Sequence, residues 1–208
     1  IDIPKDIQTE KISMAEYNKL YEVPIHLEGY DPTYKGHQGQ IKKAATLIKN
    51  AKRPLIIAGA GVLKSGAMDE LKELAEKAQI PVTNTLVGLG GFPGDHELAL
   101  GMVGMNGSVA ANNSTDEADL VIAAGIRFHD RITGHPDFFC KKAKIIHIDI
   151  DPAEIDKNVT INVPIVGDLK QVLTELNALV EPTTHEAWLE QIREWQAEYP
   201  MVIPESKH

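Results

Sequence analysis

Short, unbroken apolar runs, set between stretches with helical spacing, limit most strongly how this chain can fold. Residues 55–58 and 120–124 are wholly apolar, and each run is followed directly by a glycine. Between them, Leu71, Leu74 and Ala78 fall on one face of a helix. Because strands that are apolar on both sides need cover on both sides, the pattern predicts an α/β, three-layer Rossmann-like fold: a parallel sheet with helices on both faces.

Five strands can be placed by this pattern. They are predicted at residues 54–58, 80–83, 119–124, 143–150 and 162–166. Pro164 has no backbone N–H, which suits the last strand to an edge of the sheet. The segment Gly101–Gly107 has three glycines at steps of three, which predicts an irregular loop.

Helical spacing recurs between the strands and again in the tail. Helices are predicted over residues 41–48, 71–78, about 107–115 and 169–176. In the tail, Thr183 and Glu186 have the spacing of a capping box. A helix that carries Trp188 and Trp195 is expected to follow and to end at Pro200.

The distribution of proline and glycine predicts three regions. Residues 1–38 are expected to form an irregular linker that wraps over something else, residues 39–181 a regular α/β domain that binds a nucleotide, and residues 182–208 a C-terminal helix and linker. The start Ile1-Asp2-Ile3-Pro4 has no Met and suggests the end of a strand of a longer chain. We therefore expect a fragment or a processed chain.

Charge and composition exclude several classes of protein. The 208 residues include 21 lysines and arginines against 30 acidic residues, a net charge of −9. This balance argues against a nucleic-acid binder or a polybasic membrane surface, and no apolar run is long enough to span a membrane. A single cysteine, Cys140, excludes an internal disulfide and fits a reducing compartment, so we expect a cytoplasmic protein.

No constellation of catalytic or metal-ligating residues stands out. The eight histidines form no metal-binding pattern, and neither a catalytic triad nor paired catalytic carboxylates are visible. We therefore predict no catalytic and no metal-binding residue in this chain. His147 is expected to be a satisfied core histidine, and Cys140 is expected to be structural.

Glycines follow the predicted strands at the edge where parallel sheets bind ligands. The backbone of Gly59-Ala60-Gly61 can approach a phosphate closely, although a tight strand-to-helix turn is the alternative. The segment Gly101–Gly107 leads into a predicted helix whose first amides favour an anion. Its alternative is an ordinary mobile loop.

Two arginines flank a carboxylate after the 119–124 strand. Arg127, Asp130 and Arg131 could hold a phosphate, a carboxylate or the edge of a flavin. The alternative is an ion-pair cluster on the surface.

Acidic residues follow the last two strands. Asp149 and Asp151, which a period of two places on one side of the strand, are typical acceptors for ribose hydroxyls. Asp151 could instead cap a helix that begins near Pro152. Gly167 and Asp168 follow the last strand in the same way, and capping a helix is the favoured role of Asp168.

Four segments together resemble the large catalytic subunit of acetolactate synthase (acetohydroxyacid synthase). They are residues 1–8, 101–107, 125–134 and 147–158. In that family the subunit has three domains, of which the first and third bind thiamine diphosphate and Mg²⁺, and the middle one binds FAD on a six-stranded parallel sheet. The resemblance covers residues 1 to about 200. It implies that this chain is the middle domain, with about six parallel strands and FAD extended over the strand ends.

The resemblance also implies which residues bind FAD. Those after the first strand would line its phosphate or ribitol region, those after the second its flavin, and those after the last two its adenosine end. The expected residues are Gly59, Ala60, Gly61, Thr85, Leu86, Val87, Met105, Asn106, Gly107, Arg127, Asp130, Arg131, Asp149, Ile150, Asp151, Gly167 and Asp168. The chain departs from the family at two positions: Asn106 stands where histidine is usual, and His129 where aspartate is usual.

For the whole enzyme, the resemblance implies the synthesis of acetohydroxy acids. Thiamine diphosphate decarboxylates pyruvate, and the resulting carbanion adds to a second pyruvate or to 2-oxobutyrate, which begins isoleucine and valine biosynthesis. The family forms homodimers or tetramers, with a regulatory small subunit as a candidate partner. Because the family's catalytic glutamate and metal ligands lie in the other two domains, the isolated chain is expected to be inert.

Three other readings fit some of these features. The chain could be the central domain of a related thiamine-diphosphate enzyme, of the pyruvate oxidase or glyoxylate carboligase type. It could be a spacer domain that has lost its ligand, a reading kept open by Asn106 and His129. A sirtuin-like deacylase is disfavoured, because such enzymes usually carry a four-cysteine zinc site.

Overall fold

Six parallel strands form one sheet in the described part of the chain. The structure is a computed structural model that describes residues 2–20, 22 and 31–201. Its strands are β1 (Pro54–Ala58), β2 (Val82–Asn84), β3 (Ala99–Met102), β4 (Leu120–Ala124), β5 (Lys144–Asp149) and β6 (Val163–Val166). Their order is β3-β2-β1-β4-β5-β6, and all neighbours are parallel. The predicted α/β fold is confirmed.

The chain divides into two units, Ile1–Asp31 and Pro32–His208. In the first unit, α1 (Lys5–Gln8) and α2 (Met14–Leu20) bury no residue. The irregular conformation predicted there is wrong over these two helices. The missed signal is a capping box before α2, in which the Ser13 amide donates to the Glu16 carboxylate and the Glu16 amide donates to the Ser13 hydroxyl.

Helices cover both faces of the sheet in the second unit. They are α3 (Gln38–Asn50), α4 (Ala60–Ser65), α5 (Met68–Ala78), α6 (Val109–Glu117), α7 (Asp130–Thr133), α8 (Leu169–Leu179) and α9 (Glu186–Glu198). Alternate strand residues point to opposite faces. Ile56 and Ile122 pack with the buried side chains of α3, α5 and α8, whereas Leu55 and Val121 pack with those of α6 and α9.

The strand β3 is the one that the sequence pattern did not show. It has four residues, lies at an edge, and contains Gly101 with φ of 78°. The register with β2 shifts between Val82 and Asn84, so β3 carries a bulge there. The prediction that Gly101 lies in an irregular loop is therefore wrong, because a glycine in a bulge resembles a loop residue in sequence.

The C-terminal helix packs on this domain. Trp188 of α9 is buried, and its indole Nε1 donates to the Pro54 carbonyl over 3.0 Å. The predicted helix is confirmed, but the predicted capping box is wrong. The helix begins at Glu186, and the Thr183 hydroxyl donates instead to the Ala78 carbonyl over 2.9 Å.

Backbone contacts join the loops that follow the two central strands, β1 and β4. The Gly61 amide donates to the Gly125 carbonyl over 3.1 Å. A Cβ atom on Gly59 would lie 2.2 Å from that same carbonyl oxygen, and Gly125 itself has φ of 63°. Only glycine lets these two loops approach so closely, and their approach shapes the middle of the strand ends.

Replacing Gly59 by alanine should destabilise the protein strongly. The added methyl group meets a backbone atom that cannot move aside, so we expect Gly59→Ala to lower the free energy of unfolding by about 3 kcal/mol. Gly94→Ala is the matched control, because no atom lies within 4 Å of its Cβ position. It should change stability by less than about 0.5 kcal/mol. Urea denaturation measures both, and equal effects would contradict the close approach.

Candidate functional site

A cavity of about 610 Å³ opens at the carboxyl ends of the strands. Its walls come from the segments after β1, β2, β4 and β5 and from the start of α8, which follows β6. Its size is typical of small-molecule sites, which measure roughly 300–1,000 Å³. We call it the strand-end cavity.

The structure divides the predicted site residues into three groups. Those that line the strand-end cavity are Ala60, Gly61, Thr85, Val87, Arg127, Asp149, Ile150 and Asp168. Met105, Asp130 and Arg131 line a separate cavity of about 630 Å³. Gly59, Leu86, Asn106, Gly107, Asp151 and Gly167 line neither of these two cavities.

The glycines outside the cavity serve backbone packing. The Gly59 amide donates to the Ala124 carbonyl over 2.9 Å, and the Gly167 amide donates to the Asp149 carbonyl over 3.0 Å. A Cβ atom on Gly107 would lie 2.4 Å from the Met102 carbonyl oxygen. The amides of Gly59 and Gly61 are both engaged within the protein, so the alternative of a tight strand-to-helix turn describes them better than a phosphate cradle does.

The acidic residues at the strand ends have different roles. Asp149 lines the cavity, and its Oδ1 accepts a hydrogen bond from the Asp151 amide over 2.9 Å. Asp151 lies beyond the end of β5, so the predicted placement of both carboxylates on one side of the strand is wrong. The Asp151 carboxylate accepts from the Ala153 amide, which confirms its capping role. Asp168 caps α8 by accepting from the Gln171 amide, and it also lines the cavity.

Thr85 brings an unsatisfied polar atom to the cavity. It directly follows β2, is 2% exposed, and lines the wall. Its hydroxyl has no hydrogen-bond partner within the described residues. A buried hydroxyl without a partner costs free energy, about 1–3 kcal/mol, which a ligand with a polar atom at this point would recover.

The loop after β4 contributes a cation. Arg127 and His129 are exposed and line the cavity, whereas Phe128 between them is buried. In the described part of the chain, Asp130 forms an ion pair with neither arginine. Its carboxylate accepts instead from the backbone amide of Arg131 over 2.9 Å. The predicted cluster is therefore split, with Arg127 alone of the two arginines in the strand-end cavity.

Sequence reasoning missed part of the cavity wall. Leu63, Lys64 and Ser65 line it from α4, a six-residue helix that begins directly after Gly59. A helix this short has too few residues to show periodicity. His129, a position at which the resemblance implies aspartate, lines the cavity as well.

His147 lies in β5 beneath the Arg127 loop. It is fully buried, and its Nε2 lies 2.8 Å from the Ile126 carbonyl oxygen. Its Nδ1 has no partner within the described residues, so the expected satisfied histidine is satisfied at one nitrogen only. Burial lowers the pKa of His147, while the hydrogen bond to Ile126 and the charge of Asp149 act in the opposite direction.

Cys140 is a free and buried cysteine. Burial raises the pKa of the Cys140 thiol, as expected of a structural cysteine. No group of three or more histidine, cysteine or acidic side chains is placed to hold a metal ion there. Among the helices of those same ranges, none has the length and apolarity needed to cross a membrane.

Comparison with known proteins identifies the family. Residues 41–176 match the family described as "Thiamine pyrophosphate enzyme, central domain". The chain belongs to this family. The match includes β1 to β6 and the whole wall of the strand-end cavity.

Relatives with high identity to the chain are named as large subunits of acetolactate synthase. A "Probable acetolactate synthase large subunit" of Methanocaldococcus jannaschii is 53% identical over 197 residues, 93% of this chain and 33% of that protein. The corresponding subunit of Buchnera aphidicola subsp. Schizaphis graminum is 45% identical over 94% of the chain and 33% of its own length. "Acetolactate synthase isozyme 3 large subunit" of Escherichia coli is 41% identical over 94% and 33%. The chain spans about one third of the length of these relatives.

The buried His147 should make stability depend on pH. Because the folded state lowers its pKa, the unfolded chain binds more protons below about 6.5, and the free energy of unfolding should fall as pH drops below that value. Urea denaturation from pH 8 to pH 5 measures this slope. His147→Gln should make it shallower, and His185, whose pKa burial also lowers, accounts for part of the remainder.

His135→Gln is the control, because the side chain of His135 is 66% exposed. It should keep the wild-type dependence. If both variants leave the slope unchanged, His147 does not titrate between the folded and unfolded states as we expect.

Proposed function

We propose that this chain is the FAD-binding central domain of an acetolactate synthase. In such an enzyme two pyruvates condense to 2-acetolactate, or pyruvate and 2-oxobutyrate condense to 2-aceto-2-hydroxybutyrate. The observation that carries this proposal is the strand-end cavity, found in a chain of the thiamine pyrophosphate enzyme family with 41–53% identity to acetolactate synthase large subunits.

The extent of the cavity suits an elongated ligand. Its walls reach from the segment after β2 to that after β6, five neighbouring strands in the sheet order. Strands lie about 4.8 Å apart, so this distance is about 19 Å. A dinucleotide lies across such strand ends, whereas a single small substrate needs only one or two of the loops.

The chemistry of the wall changes along the sheet in a way that fits FAD. Asp149 and Asp168, beside β5 and β6, can accept hydrogen bonds from ribose hydroxyls. Arg127, in the middle, can pair with a pyrophosphate. Thr85 and Val87, beside β2, offer a free hydroxyl and an apolar surface to the flavin end.

The residues of this chain act on the cofactor by holding it. Thiamine diphosphate with Mg²⁺, when bound elsewhere in the enzyme, supplies the electron sink for decarboxylation and carbon–carbon bond formation. The strand-end cavity fixes the position of FAD, and its apolar wall keeps water from it. The family uses this flavin without net redox change.

The wider organisation follows from the same proposal. Residues 1–38 link to a preceding domain, residues 39–181 form the FAD-binding domain, and residues 182–208 lead towards a following one. The whole enzyme acts in isoleucine and valine biosynthesis in the cytoplasm, as a homodimer or tetramer with a regulatory small subunit as a candidate partner. The identity to acetolactate synthase large subunits, of whose length the chain spans about one third, supports the proposal that it is one domain of a larger protein.

Titration of the purified chain into FAD tests the cofactor directly. Saturable quenching of flavin fluorescence is expected, and Asp149→Asn should weaken binding about tenfold, because it removes a charged acceptor from the cavity. Asp151→Asn is the matched control and should change affinity less than about threefold, because that carboxylate caps a turn outside the cavity. Absence of binding by the chain and by an intact enzyme that contains it would favour the spacer reading.

The 208 residues alone should form no acetolactate. With thiamine diphosphate, Mg²⁺ and pyruvate, we expect product at the level of the protein-free control, because the described residues contain no metal-ligand group. Colorimetric detection of acetoin after acidification measures the product. Turnover above that control would place catalytic residues within this chain. It would contradict the proposal that this domain only holds FAD while other domains catalyse the reaction.

A further inference from the structure

The loop after β4 has an unusual backbone. Phe128 has φ of 46°, a left-handed conformation in a bulky residue, and Gly125 at the start of the loop has φ of 63°. A bulky non-glycine residue in this region is strained and persists only when its surroundings hold it there. The contacts around residues 125–128 therefore indicate what this conformation serves.

His147 holds the loop from below. Its Nε2 lies 2.8 Å from the Ile126 carbonyl oxygen, and because a carbonyl only accepts, Nε2 carries the proton. Its ring also packs edge-on against the Phe128 ring, with centroids 4.9 Å apart. Phe139 contacts the same Phe128 ring at 5.8 Å.

Asn158 holds the loop from the side. Its Nδ2 lies 3.2 Å from the Phe128 carbonyl oxygen and 3.4 Å from that of Arg127. Three consecutive carbonyls, at residues 126, 127 and 128, are thus fixed by His147 in β5 and by Asn158 beyond it. Fixing three successive peptide groups determines the direction of the side chains between them.

We call the contacts of His147 and Asn158 with residues 126–128 the clamp. Its effect is seen in the side chains that line the strand-end cavity. Phe128 turns into the core, while Arg127 and His129 on either side of it are exposed and line the cavity. We propose that His147 is a positioning residue, whose hydrogen bond to Ile126 and contact with Phe128 hold the loop so that Arg127 faces the bound cofactor. This inference rests on the proposed function, because it gives Arg127 a ligand.

A pair of substitutions separates the hydrogen bond from mere filling of space. His147→Gln keeps an N–H donor near the position of Nε2, whereas His147→Leu keeps an apolar side chain and removes the donor. Fluorescence titration should give a Kd for FAD that rises at least tenfold in His147→Leu and less than threefold in His147→Gln. Equal Kd values for wild type and both variants would overturn the inference.

A double-mutant cycle shows whether His147 acts through Arg127. In an Arg127→Ala background, His147→Leu should change the FAD Kd less than about twofold, because the side chain it positions is gone. If His147→Leu raises the Kd by the same factor with and without the Arg127 side chain, His147 has a purely structural role and the inference is overturned. Asn158→Ala, an exposed position, provides a second variant if His147→Leu does not fold, and it should raise Kd about threefold.

Trypsin cleavage after Arg127 tests the clamp without any ligand. His147→Leu should speed cleavage at Arg127–Phe128 at least tenfold over cleavage after the exposed Lys64, and His147→Gln should not. Uniform acceleration at both sites would show general destabilisation and overturn the inference. If neither the wild-type chain nor an intact enzyme that contains it binds FAD, the proposed function fails, whereas selective cleavage at Arg127 would still establish the clamp.

Discussion

The contact between the loops after β1 and β4 is the constraint on which the site depends. Gly61 and Gly125 meet backbone to backbone at the centre of the sheet, and Gly59 sits against the same carbonyl. Because these strands are neighbours, the contact fixes where the chain leaves each of them. As a result, the segment that carries Arg127 and the start of α4 line the same cavity.

Some polar groups of the domain have hydrogen-bond partners within the protein, and others have none among the described residues. Asp151 and Asp168 cap turns, and the Trp188 indole reaches the Pro54 carbonyl. Thr85 is buried without a partner in the described structure. The Asn84 Oδ1 and His147 Nδ1 atoms are also buried without a partner there, and of these three residues Thr85 is the one that lines the strand-end cavity.

The fold could be predicted well from sequence, and the site less well. Continuous apolar runs gave five of the strands, because burial on both faces leaves a strong signal. The short edge strand at Gly101 left none, since a bulge and a loop have the same glycine signature. Asp149 and Arg127, both predicted to bind a cofactor, line the strand-end cavity. Arg131 lines a separate cavity and Asp151 lies beyond the end of β5, because a spacing along the chain shows neither how a loop turns nor where a strand ends.

The edges of the sheet bear on how this domain behaves at high concentration. Both edge strands, β3 and β6, have only four residues. One carries the bulge at Gly101 and the other carries Pro164. Short, bulged or proline-containing edges are poor templates for a further strand. The irregularity that conceals β3 in the sequence thus also protects the exposed sheet against edge-to-edge aggregation.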